Sequence, residues 1–338
     1  MIDLVLIAVL LLGFFVAWNI GANDAADSVG VSVGARILTY RRAIMFVIIF
    51  ALIGAVLEGW KNMGTVGKGI IIPGPGGVNP LSAAPLATIA LLIAAGIWMF
   101  VMSTLGLPIS VTQSMVGAVM GAGLLITFMR PDLGASVQFS KLGTIAISWL
   151  CNPIIAAIFG FTLFKIVGAS LRRIKSIFLL NRVFSILVLT AAAYGGYTLG
   201  ANDLGTCTGV LHGYGVFGGD PHIISLFGIV GLSIGVITYS RRVIQTVGSG
   251  ITGLGPASAF ASQFGAALAV WIFVQFRIPV SSSQALIGAI AGAGLVKGAE
   301  TVNRKKLGHI GIVWVLTPGV TLLLSFAIGW LLLSLFPV

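Results

Sequence analysis

Ten stretches of this chain are each long and apolar enough to match the thickness of a lipid bilayer, and that feature limits the possible folds more than any other. They lie near residues 2–19, 42–60, 84–103, 109–128, 142–165, 182–199, 223–240, 257–276, 279–297 and 310–336. A spanning helix needs about 20 apolar residues, and runs this long and continuous suit neither strands nor the half-polar helices of a soluble domain. Only 8% of the residues are charged, against about a quarter in a typical soluble domain. That deficit excludes a soluble enzyme, a disordered tail and a nucleic-acid partner. The expected fold is all-α and polytopic, with about 10–12 transmembrane helices. Asp3 is the one charge before Trp18, so the first run lacks the basic start of a cleavable signal and is read as a span.

Basic residues orient the spans, because cytoplasmic loops carry the Lys/Arg excess. With the N-terminus outside, the inner loops hold Arg36, Arg41, Arg42, Lys165, Arg172, Arg173, Lys175, Arg182, Arg241, Arg242, Lys297, Arg304, Lys305 and Lys306, which is 14 of the 19 basic residues. Lys61, Lys68, Arg130, Lys141 and Arg277 stay outside. Both termini are therefore expected to be extracytoplasmic, in the inner (plasma) membrane of a prokaryote, to which the short loops point. The densest basic stretch lies between the fifth and sixth spans. It divides the chain into 1–165, a cytoplasmic linker 166–181 suited to anionic headgroups, and 182–338.

The two halves repeat each other in order. Gly21-Ala-Asn-Asp24 recurs as Gly200-Ala-Asn-Asp203, and Thr65-Val-Gly as Thr246-Val-Gly. Pro108-Ile-Ser-Val-Thr-Gln113 recurs as Pro279-Val-Ser-Ser-Ser-Gln284. Lys141-Leu-Gly143 matches Lys306-Leu-Gly308, and Trp149 with Pro153 matches Trp314 with Pro318. Five spans per half is an odd number, so the second copy must enter the membrane inverted. This is the plan of secondary transporters, whose substrate sites lie near the midplane between repeats, on broken or re-entrant helices.

Polar groups at membrane depth are functional candidates by default. Asn23-Asp24 and Asn202-Asp203 each follow glycine at the end of an apolar run. That suits an unwound segment leading into a helix N-terminus, whose free N–H groups attract anions, while carboxylate and carbonyl oxygens suit a hard cation. N-capping at the membrane surface is the plainer alternative. Ser110, Thr112, Gln113 and Ser114, and their copies Ser281, Ser282, Ser283 and Gln284, follow helix-breaking prolines. Such hydroxyls and amides can hold an oxyanion without fixed positive charge. Gly117, Gly121, Gly288 and Gly292 after them suit close helix packing. With no Lys or Arg in these segments, a bound anion needs helix termini, protons or co-bound cations beside Asp24 and Asp203. Asp27 is either a further cation ligand or a solvated first-turn residue. Glu58 is expected to pair with Lys61, with a peripheral cation site as its alternative. Asp132 and Asp220 read as loop turns, and His212, His222 and His309 as loop histidines. Cys151 and Cys207 read as small apolar fillers. No GxxxxGK[ST] loop and no Cys/His cluster occurs, so a primary pump or a metal site beyond sodium is not expected.

Gly-Ala-Asn-Asp and Pro-(Ile/Val)-Ser-x-(Thr/Ser)-Gln, both duplicated, resemble the inorganic phosphate transporter (PiT) family over nearly the whole chain. The resemblance implies a sodium- or proton-coupled phosphate symporter with inverted repeats, no cofactor and a homodimeric assembly. By motif position it implies phosphate contacts from Asn23, Asp24, Ser110, Thr112, Gln113, Asn202, Asp203, Ser281, Ser283 and Gln284. It also implies sodium contacts from Asn23, Asp24, Ser110, Asn202, Asp203 and Ser281. The chain departs from the family pattern at Asp27, where asparagine is usual, at Leu204-Gly-Thr-Cys207, and at both glutamines, where histidine is common. The added carboxylate and the missing histidine lean toward sodium. The expectation is thus a phosphate symporter and not an enzyme, with proton coupling or sulfate as alternatives. An anion channel would show a row of fixed positive charge.

Overall fold

A computed structural model describes residues 2–250, 255–296 and 304–336. In chain order the helices are α1 (Ile2–Gly34), α2 (Tyr40–Glu58), α3 (Trp60–Lys68), α4 (Pro80–Ala83), α5 (Pro85–Thr104), α6 (Val111–Met129), α7 (Phe139–Leu171), α8 (Ile177–Thr198), α9 (Gly205–Tyr214), α10 (Pro221–Tyr239), α11 (Arg241–Gly250), α12 (Pro256–Gln275), α13 (Ser282–Leu295) and α14 (Arg304–Leu335). Among the described residues nine helices are long and apolar enough to cross a membrane, α8 and α9 counting as one through a π-helical segment, Leu199–Leu204. The ninth run forms α13, which is shorter at 14 residues. A two-stranded antiparallel pair, β1 (Ile71–Ile72) and β2 (Ser136–Val137), and short 3-10 turns at Pro131–Leu133 and Val216–Gly219 complete the regular elements among the described residues.

The helices start where local chemistry dictates. Ser110, Ser176, Asp220 and Ser281 cap α6, α8, α10 and α13 by accepting first-turn N–H groups, and prolines open α5, α10 and α12. Both devices satisfy or remove donors that a helix start leaves free. Several sequence expectations need correction. The Gly-Ala-Asn-Asp motifs are not unwound: α1 runs without a break through the first, and the second lies in the π segment. A continuous helix keeps every backbone group bonded, which hydrocarbon demands. No short re-entrant helix follows either motif, since α1 and the α8–α9 unit simply continue. His212, His222 and His309 all lie in helices rather than loops, and Asp220 is a cap rather than a turn. The linker is brief, as α7 ends at Leu171 and α8 starts at Ile177. Lys297 lies outside the described residues, as do the side chains of Arg304, Lys305 and Lys306.

The two halves interlock. α1 packs on α10 and α11, and α2 on α8, the π segment and α10, while α3 lies against α9. α7 packs on α12 and α13, as α14 does on α5 and α6. Glycines make these approaches. A Cβ on Gly117 would sit 2.3 Å from Pro318 O, and one on Gly288 2.2 Å from Pro153 O. Gly21 and Gly200 serve the same end, facing Leu232 O at 2.0 Å and Ala51 O at 1.9 Å from such a Cβ. Outward faces of α7 and α14 carry exposed Ile147, Leu150, Ile154, Val315 and Leu323, the surface that lipid tails accept.

Candidate functional site

The four duplicated motif segments meet in the centre of the bundle, and all ten residues placed there by motif position are buried. On α1, Asn23 donates from Nδ2 to Ser103 Oγ at 3.1 Å and to Leu107 O at 3.0 Å, while its Oδ1 accepts from Ile109 N at 3.2 Å. Asn202 does the corresponding work in the other half. Its Nδ2 donates to Val280 O at 2.7 Å and to Asp203 Oδ1 at 2.8 Å, and its Oδ1 accepts from Val280 N at 3.2 Å. Each asparagine therefore grips the irregular backbone just before α6 or α13, where proline has interrupted the chain. Such backbone is tolerated at membrane depth only when protein groups satisfy it.

The hydroxyls cross between halves. Thr112 Oγ1, on the first turn of α6, donates to Val280 O at 2.9 Å. Ser283 Oγ, on the first turn of α13, contacts Ile109 O at 2.8 Å and Asp27 Oδ2 at 2.6 Å. Thr112 also reaches Asp203 Oδ1 at 3.3 Å, and Ser282 donates to Asp203 Oδ2. Two helix N-termini and the carboxylates of Asp27 and Asp203 thus share one set of hydroxyls. Asp24, Asp27 and Asp203 lie within mutual electrostatic reach. Among the described residues no three His, Cys, Asp or Glu side chains group tightly enough to hold one metal ion, so a cation here draws on mixed oxygen types.

Three acceptors of the motif segments have no donor: Asp24 Oδ1, Gln113 Oε1 and Gln284 Oε1 are buried and unpartnered, as are Asn62 Oδ1 and Asn152 Oδ1 on the flanking helices α3 and α7. Buried polar atoms without partners are rare enough that each one needs a reason. Against Asp27 and Ser282 lies a cavity of about 20 Å³, lined also by Ser28, Thr198 and Gln263 among others. That is room for about one water-sized particle. No Lys or Arg lines it.

Some residues escaped the sequence reading. Asn62 on α3 donates to Asn202 Oδ1 at 3.0 Å, and Asn152 on α7 donates to Ser281 O at 2.8 Å. Ser103 holds Asn23, and Gln263 on α12 meets Ser32 of α1. Gln263 and Asn152 were detectable in principle, as amides inside apolar runs. Glu58 is absent from the centre. It forms the ion pair with Lys61 at 2.7 Å and accepts from Gln275 Nε2 at 3.1 Å. Asp132 belongs to a turn outside the spans, where the Arg130 guanidinium at 3.0 Å holds its carboxyl below the usual carboxylate range. Cys207 is buried, and Cys151 is an exposed free cysteine on α7.

Comparison with known proteins gives a consistent answer. A family model described as the phosphate transporter family matches residues 20–325. A Haemophilus influenzae protein named as a phosphate permease is 29% identical, with 90% of this chain and 91% of that protein covered. One from Pyrococcus furiosus is 28% identical, with 93% of each covered. Among solved structures, one titled "The sodium-dependent phosphate transporter" superposes with a TM-score of 0.87 at 25% identity, covering 98% of this chain and all of that one.

Proposed function

This chain belongs to the phosphate transporter family, and from that premise we propose that it imports inorganic phosphate by symport with sodium ions. The observation that carries the sodium half is the trio of donorless oxygens on Asp24, Gln113 and Gln284. Sodium is a hard cation that takes oxygen ligands. An amide whose oxygen faces a cation keeps its NH₂ for an oxyanion, so Gln113 and Gln284 can serve both cargoes. The first-turn N–H groups of α6 and α13, behind the caps Ser110 and Ser281, supply further anion donors. Asn23 and Asn202 shape the wall, with Thr112 and Ser283 as hydroxyls that can turn toward phosphate. Buried carboxylates and a phosphate anion repel strongly at low dielectric, so the anion binds only once cations have joined Asp24, Asp203 and Asp27. Glu58 is left out of the cation set because Lys61 already occupies its carboxylate.

The reading includes two inverted repeats, 1–165 and 182–338, that alternate access by breaking the hydroxyl–carbonyl bonds that cross between them. It includes an inner-membrane location with both termini extracytoplasmic, from the distribution of basic residues, and a homodimer, from the family resemblance. The test is uptake of labelled phosphate into proteoliposomes under an inward sodium gradient against an equal potassium gradient. Accumulation above equilibrium with sodium alone is the expected result. Equal uptake in both cations overturns sodium symport, and an imposed pH gradient then tells proton coupling from passive flow.

A further inference from the structure

Outside the centre, the strongest unassigned feature is a polar vestibule at one membrane face. Two adjoining cavities of about 340 and 410 Å³ share Thr65, Lys141 and Arg277 in their walls. Lys61, also in the first, is neutralised by Glu58 at 2.7 Å. Lys141 and Arg277 have no carboxylate within 4 Å among the described residues. Lys141 Nζ lies beside Gly69, the C-terminal cap of α3, where a Cβ would be 3.1 Å from it. Arg277 stacks on the Trp60 ring with its guanidinium carbon 5.1 Å from the centroid. Both heads are thus positioned without a counter-ion.

The vestibule is coupled to the centre by covalent continuity. Arg277 precedes Val280 by three residues, and Val280 is the residue gripped by Asn202 and Thr112. Three peptide steps of 3.8 Å keep their Cα atoms within about 11 Å. α3 bridges the same gap: Thr65 Oγ1 donates to Arg277 O at 2.8 Å, while Asn62 reaches Asn202.

Arg277 also holds an unusual backbone conformation. Its φ is +59°, in the left-handed region, and the matching position of the first half, two residues before proline, is Gly106 at φ +70°. Glycine adopts that conformation freely and arginine does not. A side chain kept against backbone strain on one face, where the other face has glycine, points to a use for that side chain. The distribution of basic residues puts the Arg277 face outside.

We propose that Lys141 and Arg277 form an outer capture site for phosphate, one short helix from the central site and independent of sodium. This rests on phosphate being the cargo. Two cations without counter-ions over an open cavity concentrate a divalent oxyanion and speed its encounter, and salt screens the effect.

The test uses the full-length chain in proteoliposomes, with Arg277→Gly, which relieves the backbone strain while removing the charge, and Lys141→Gln. At an ionic strength of about 20 mM each variant is expected to raise the phosphate KM roughly 3- to 10-fold, shrinking to under about 2-fold at ~0.5 M choline chloride. A second readout does not need transport. In sodium-free buffer, phosphate is expected to shield Arg277 from phenylglyoxal and Lys141 from an acylating reagent, read by mass spectrometry, while Arg172 and Lys175 stay reactive. Unchanged KM with no shielding overturns the capture site even where the wild type accumulates phosphate. Shielding in a protein that moves no phosphate keeps the anion site and overturns the transport reading instead. Equal shielding of Arg172 and Lys175 reduces the effect to general screening and overturns it.

Discussion

At the scale of single residues, the centre is a set of near-equivalent pairs whose small differences make predictions. Val280 O receives two donors, Asn202 Nδ2 and Thr112 Oγ1, whereas among the described side chains Ser283 Oγ serves both Ile109 O and Asp27 Oδ2. The single Ser283 hydroxyl proton goes to one of them at a time, so Ser283→Ala leaves one buried acceptor without its donor, at about 1–3 kcal/mol. Thr112→Val leaves Val280 O satisfied. Thermal melts in detergent should rank Ser283→Ala as the more destabilised, and the reverse order would show that the crossed bonds are not equivalent in this way. Asp203→Asn keeps the shape of the side chain and removes its charge. A charge-assisted contact is worth about 1.5–3 kcal/mol, so sodium-stimulated uptake should fall roughly 10- to 100-fold with normal protein in the membrane. Sodium-dependent uptake at the wild-type level would remove Asp203 from the cation site.

Individual helices are held by backbone-to-backbone approach rather than by interlocking large side chains. Membrane helices gain no hydrophobic drive from lipid, so small residues at crossings are what let them associate. Gly288 on α13 faces Pro153 O of α7, and Gly117 on α6 faces Pro318 O of α14, both nearer than any Cβ tolerates. A backbone carbonyl in a packed helix cannot swing aside, and overpacking typically costs about 1–3 kcal/mol. Gly288→Ala and Gly117→Ala should each lower the melting temperature by several degrees. Gly143→Ala in α7, with nothing within 4 Å of its Cβ position, should leave it unchanged or slightly higher, since alanine favours helix by about 1 kcal/mol. Equal effects at the three positions would mean that the crossings are looser than the structure describes.

For the whole molecule, the proposed symport means that cations and phosphate act on one equilibrium. A ligand that binds only the folded state stabilises it by about 2.7 kcal/mol at a hundredfold excess over Kd. Coupling between two ligands is reciprocal in binding free energy. The melting temperature should therefore rise in sodium chloride over potassium chloride at equal ionic strength, and phosphate should raise it further in sodium than in potassium. Equal stabilisation by phosphate in both salts would show that the anion site forms without the cation, contrary to the charge balance around Asp24, Asp27 and Asp203.

The fold class was legible in the chain because bilayer thickness is a local constraint: each apolar run must satisfy its own backbone, and each became a helix. Duplicated motifs also marked the central residues, since buried polar groups in hydrocarbon are too costly to be idle. The glycine of Gly-Ala-Asn-Asp was misleading, because its role is decided by a carbonyl on another helix, Leu232 O or Ala51 O, and not by its own neighbours. Asn62 and Ser103 were invisible for the same reason, as their partners lie 140 and 80 residues away in sequence. Composition and periodicity determine what each segment is, through its length and its contact with lipid. Which hydroxyl meets which carboxylate, and which oxygens are left without a donor for a cation to use, is decided only when helices from the two halves pack, because those bonds span distances that no local pattern encodes.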